Sequence, residues 1–260
     1  MTLSGLIGLI FIIIFFGAIV ISAAAGRGQS GVNLREIPAF ITLRRAVGLA
    51  VEAGSRLHIS IGRGKITSPE SASAFVGLSM LERMARSAST GDRPPIITTG
   101  DPTLTILAQD TMKSSFQDLG LIDQYDPTAS QLTGVTPFSF AAGALMVARD
   151  KKSSTSIMIG NFGPEVALLT DGSERSGNLT LAGTDNLSAQ AILYATADQP
   201  IIGEELYAGG AYVQAGVFHT ASLRAQDAIR WLLVAAILIG IILKALGIDQ
   251  MIANALGGLL

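Results

Sequence analysis

The residues of this chain that could do chemistry are few, and most sit at the ends of short apolar runs. Gly62-Arg63-Gly64-Lys65 follows one run, Gly100-Asp101 another, and Gly160-Asn161 and Gly183-Thr184-Asp185 two more. Glycines at such places let backbone N–H groups approach an anion, and a helix starting just beyond adds a favourable dipole. His58, Asp101, Glu165 and the pair Glu204-Glu205 complete the set of titratable candidates. Paired carboxylates can do acid–base work or hold a cation. The plainer reading of Glu165, Glu204 and Glu205 is acids in a first helical turn, where the helix dipole favours them. Asp101 before Pro102 reads equally as a helix cap.

Stricter motifs fail. The stretch GRGKIT at 62–67 lacks the phosphate loop's first glycine, because Ile59 stands there, and Ile66 replaces the hydroxyl that would hold magnesium. Thr67 stands where the dinucleotide fingerprint needs its last glycine. The only histidines are His58 and His219, with no second histidine at ligand spacing, so no zinc site is expected. No G-x-S-x-G elbow occurs, and the absence of cysteine excludes thiolate chemistry and disulfides. No catalytic residue, metal set or cofactor is therefore assigned. The ligand-binding candidates are His58, Gly62, Gly64, Asp101, Glu165, Glu204 and Glu205.

The elements that must position these residues alternate. Residues 57–61 read as a strand, 71–87 as a helix, 95–99 as a strand and 102–119 as a helix. A strand at 132–136 and a helix at 138–149 follow, then a strand at 157–161 and a short helix at 164–170. Further on come a strand at 178–182, a helix at 187–197, a brief apolar run at 201–202 and a Gly/Ala-rich helix at 204–216. Strand–helix alternation repeated about five times argues for a parallel sheet covered on both faces. Uninterrupted apolar strands fit burial on both sides. The expected fold is α/β: a Rossmann-like, mostly parallel sheet whose ligands bind beyond the carboxyl ends of its strands. Ahead of it, within 35–56, an amphipathic helix is expected with Pro38 in its first turn and its end near Gly54; Arg44 and Arg45 face either solvent or lipid phosphates.

Both ends of the chain are apolar. Residues 3–25 carry no charge, and a bilayer core about 30 Å thick needs roughly 20 such residues in a helix. Met1-Thr2 lacks the positive start of a secretory signal, so an uncleaved anchor is expected. A second span is expected over 231–248, with Lys244 snorkelling and a weakly apolar tail beyond. The expected division is 1–26, 27–227 and 228–260. Arg27, Arg35, Arg44 and Arg45 follow the first span and Arg224 and Arg230 precede the second, which places the central domain in the cytoplasm of a two-pass cell-membrane protein. A net charge of −2, with no basic cluster, gives no attraction to nucleic acid.

Three segments, LHISIGRGKI (57–66), IGNFGPEVALL (159–169) and IIGEELYAGGAYV (201–213), together resemble an uncharacterised family of membrane-anchored prokaryotic proteins of unknown function. The resemblance implies an α/β cytoplasmic domain held by terminal helices and supplies no catalytic residues. Small-residue surfaces suggest a homo-oligomer: Gly5-x-x-Gly8, Ala236-x-x-x-Gly240, and the runs at 141–148 and 208–216. The first functional expectation is therefore a self-assembling scaffold on the lipid bilayer. The second is a tethered domain that binds a small molecule in the strand-end crevice, and the third a hydrolase or transferase there.

Overall fold

A computed structural model describes residues 3–26, 34–68, 71–89 and 91–247. It divides into two compact units, Met1–Val32 with Val217–Leu260, and Asn33–Gly216. The described part of the first unit is two helices in contact, α1 (Leu3–Gly26) and, at the other end of the chain, α9 (Val217–Ala245). Both are long and apolar enough to cross a membrane, with mean hydropathies of 3.0 and 2.2 over Ser4–Ala25 and Val217–Ala245. The polar segment 219–230 lies in the first turns of α9, continuous with the apolar residues that follow. The tail from 248 onward and Arg27 lie outside the described residues.

The second unit begins with α2 (Pro38–Glu52), opened by a proline in its first turn, where a missing N–H costs nothing. There follow β1 (Arg56–Gly62), α3 (Ser71–Ala88), β2 (Ile96–Thr99), α4 (Pro102–Asp118), β3 (Ser130–Leu132) and α5 (Pro137–Ala148). The unit closes with β4 (Ser153–Asn161), α6 (Val166–Arg175), β5 (Leu179–Gly183), α7 (Leu187–Thr196), β6 (Gln199–Ile201) and α8 (Glu205–Tyr212). All strand pairs are parallel, in the order β3-β2-β1-β4-β5-β6. The first three strands thus grow one way from β1 and the last three the other way from β4.

Two departures from the expected elements have local causes. The third strand covers 130–132 rather than 132–136, because Thr136 is drawn into a capping box with Ser139 at the start of α5. Of the run at 201–202, Ile201 ends a sixth strand. That strand contains Pro200, which cannot donate to a ladder, and it lies on the sheet edge where that is tolerated.

Alternation along the strands makes two cores. Leu57, Ile59, Ile61, Ile97, Ile157, Ile159 and Leu181 face the layer built from α2, α3, α4 and α8. Met158 and Ala182 face α5, α6 and α7, with Phe140 and Phe162 between. That second face is partly polar: His58, Ser60, Thr98, Ser156 and Thr180 are all fully buried or nearly so.

Candidate ligand site at the carboxyl edge of the sheet

The strand order reverses between β1 and β4, and in open α/β sheets the crevice beyond the carboxyl ends at such a point is where ligands bind. Two glycines build this edge. Gly62 has φ +75°, and a Cβ on it would lie 2.2 Å from the Asn161 carbonyl oxygen. A Cβ on Gly160 would lie 1.9 Å from the Ile61 carbonyl oxygen. The close approach lets the Arg63 N–H donate to Asn161 O at 2.9 Å, while the Gly100 N–H donates to Gly62 O at 2.8 Å. Strands β1, β2 and β4 are thus fastened to their last residues.

Arg63 lies across this junction. Its aliphatic stem crosses Gly100, where a Cβ would come within 2.2 Å of Arg63 Cγ. Its Nη1 is 3.6 Å from Glu165 Oε1, an ion pair beyond hydrogen-bond length. The Arg63 Nε is buried and has no hydrogen-bond partner among the described residues. Glu165 is 5% exposed, and its Oε1 also accepts the Gly163 N–H at 3.0 Å. It is held from inside the loop and turned toward the guanidinium.

Beside this pair, Asp185 accepts from Asn161 Nδ2 and from Ser73 Oγ, each at 2.8 Å. The Phe162 N–H donates to Thr184 Oγ1 at 3.0 Å, which fixes the turn after β4 to the turn after β5. Burial pushes the Tyr207 hydroxyl above its ordinary pKa, and the Asp185 carboxylate adds to the effect. The turns after β1, β4 and β5 and the first turn of α3 therefore meet in one polar array. Ser73 and Tyr207 were invisible as members from spacing alone; the one usable signal for Ser73 is its place in the first turn of the helix after β1.

The sequence-derived candidates separate into three groups. Gly62, Gly64 and Glu165 lie at or just beyond the carboxyl ends of β1 and β4. Asp101 lies at the end of β2 but serves as the α4 cap, its Oδ1 accepting from Thr103 N at 2.9 Å and Leu104 N at 3.1 Å. Such a cap contributes about 1 kcal/mol. Glu204 and Glu205 open α8 after the edge strand β6, where Glu205 pairs with Arg35. His58 is not at this edge. It sits four positions before the end of β1, roughly 13 Å back along the strand, its Nε2 2.9 Å from Thr98 Oγ1. Burial lowers its pKa from 6.5 to about 4, so it is neutral at physiological pH.

The runs at 141–148 and 208–216 are used inside the domain. Ala141, Ala144 and Ala148 are fully buried, and a Cβ on Gly143 would lie 2.4 Å from Thr133 O. A Cβ on Gly209 would lie 2.8 Å from Met80 Sδ, so α8 rests directly on α3. Gly8 and Gly240, in the terminal helices, face open space.

Chemically, the edge offers a guanidinium with unused donors, a buried carboxylate, and a hydroxyl–carboxylate–carboxamide chain. Among the described residues no three ligand-type side chains converge as a metal set. One family, described as a domain of unknown function (DUF6754), matches residues 2–255. No curated protein and no solved structure matches the chain.

Proposed function

We propose that this chain, which belongs to the DUF6754 family, is a membrane-tethered domain that binds a small anionic molecule at the carboxyl edge between β1 and β4. In this reading the sheet is Rossmann-like, the two apolar helices cross the cell membrane, and the sheet domain is cytoplasmic. The arginines flanking the apolar helices support the orientation. The strand order supports the crevice.

The observation that carries the reading is Arg63. Its guanidinium is positioned by Gly100 and Glu165, yet the ion pair is long and a buried Nε–H is unused. A planar fork with spare donors suits a carboxylate or phosphate oxygen. The scaffold reading has lost two of its supports, because the small residues of α5 and α8 are taken up by packing within the domain. It keeps those of the terminal helices, and a large symmetric particle in mild detergent would favour it.

The test is a thermal-shift screen of the detergent-solubilised chain against carboxylated and phosphorylated metabolites. A ligand that binds only the folded state at 100 times its Kd adds about 2.7 kcal/mol of stability. At least one such compound is expected to raise Tm. Arg63→Gln is expected to weaken its binding roughly 10- to 100-fold, the worth of a hydrogen bond to a charged group. Arg63→Lys, which keeps the charge and loses the fork, should fall between. Equal shifts in all three proteins would remove Arg63 from the site and this reading with it.

A separate expectation concerns topology. Protease added to inverted membrane vesicles is expected to digest the sheet domain, whereas protease added outside intact cells leaves it whole. The reverse pattern would place the domain outside the cell.

A further inference from the structure

On the sheet face opposite the polar layer, α2, α3 and the end of α8 enclose a groove of about 410 Å³. This is within the usual range for small-molecule pockets, roughly 300–1,000 Å³. Its floor is apolar: Leu43 and Val47 from α2, Met84 from α3 and Val213 after α8. Gly48 stands at its mouth, and a Cβ there would meet nothing within 4 Å. Arg44 and Arg83 stand on the rim, both exposed, and among the described residues neither guanidinium has an ion-pair or hydrogen-bond partner. One carboxylate, Glu52, also lines the groove, so the rim is net positive. Gln214, in the same lining, holds a left-handed conformation at φ 59°, where its N–H reaches Ala211 O at 3.1 Å. This closes α8 with a residue that ordinarily would be glycine.

An apolar floor below two unpaired guanidinium groups matches an amphiphile with an anionic head. We propose that this groove seats one anionic phospholipid, an acyl chain along Leu43, Val47 and Met84 and the phosphate between Arg44 and Arg83. The proposal rests on the reading that the terminal helices lie in a bilayer. Two guanidinium groups favour a headgroup of net negative charge, a preference that zwitterionic phosphatidylcholine does not share.

Native mass spectrometry of the full chain, in mild detergent doped with phosphatidylglycerol or phosphatidylcholine, tests it. One phosphatidylglycerol per chain is expected to survive desolvation, with phosphatidylcholine retained at least 10-fold less. The double variant Arg44→Gln/Arg83→Gln should lose that preference. Gly48→Phe, which fills the groove from an open position on a helix, should remove the adduct while leaving Tm and the far-UV spectrum unchanged. A lipid retained equally by Gly48→Phe belongs to the terminal helices and overturns the proposal. Displacement of the adduct by an acidic peptide, with no selectivity between lipids, would assign the groove to a polypeptide and also overturn it. Extraction with alkaline carbonate separates the two levels: a chain that resists extraction yet binds no anionic lipid keeps its membrane anchorage and loses the lipid seat.

Discussion

Gly62→Ala is expected to destabilise the sheet domain by at least about 3 kcal/mol, a drop in Tm of roughly 10 °C for a unit of this size. Two costs combine. An L-residue at φ +75° loses about 1–2 kcal/mol to the left-handed conformation. The new methyl would also lie 2.2 Å from the Asn161 carbonyl oxygen, and backbone atoms of a central strand pair cannot swing away as a side-chain end can. To make room, β1 must part from β4, breaking the Arg63 N–H bond to Asn161 O and moving Arg63 off Gly100. Gly120→Ala is the control. Gly120 has φ +70° and nothing within 4 Å of its would-be Cβ, so it bears the conformational cost alone. Melting curves of both variants in the same detergent read the difference. Equal, small drops would mean that the β1–β4 junction is not closed as described. The ligand binding proposed for the carboxyl edge should fail in Gly62→Ala wherever the protein still folds, because the junction positions the guanidinium.

The second large effect is acid destabilisation through His58. Unfolded, a histidine takes up a proton as pH falls through about 6.5; folded, His58 resists protonation until about 4 because burial penalises the imidazolium. Between those values the unfolded state binds the extra proton, so stability falls as pH falls. The full contribution is present above pH 6.5, and about 3 kcal/mol of it is gone by pH 4. Nδ1 has no hydrogen-bond partner among the described residues, and Ser156 beside it in register also carries an unpartnered hydroxyl. Among the described residues no carboxylate is hydrogen-bonded to the ring to offset the penalty. The measurement is urea unfolding of wild type and H58Q between pH 7.5 and pH 4. Wild type should lose stability steeply across that window and H58Q much less. Parallel profiles would mean that His58 is accessible to protons in the folded domain. Asp126, whose carboxyl is held below its usual range by hydrogen bonds from Thr128, adds acid sensitivity at lower pH to both proteins.

The parts of this molecule written in local pattern were legible without coordinates. An uncharged apolar run of helical length, a proline in the first turn of α2, an aspartate ahead of Pro102, and short apolar runs ending in glycine each report a preference that acts within a few residues. That is why the terminal helices, the parallel α/β class and the turns at the strand ends could be read directly. β6 escaped because three residues containing a proline carry too little local signal, and the edge strand forms only once β5 offers its free ladder. The beginning of α9 escaped because its polar residues mask a helix continuous with the apolar one that follows.

What joins the candidate site depended on the packed sheet alone. The order of the strands is decided by which helices cover which face, a property of the whole layer and of no segment within it. Ser73 and Asp185 meet across 112 positions of chain, and Arg63 reaches Glu165 only because β1 and β4 are neighbours. His58, inside β1, is buried under one face of that sheet, back from its carboxyl edge. Side chains alternate along a strand, so the helices over one face decide whether a given position is a ligand contact or a buried, neutral ring. From residue types the chain declared a membrane-length helix at each end and an α/β body between; which of its charged groups stand together was settled when two halves of a sheet closed along β1 and β4.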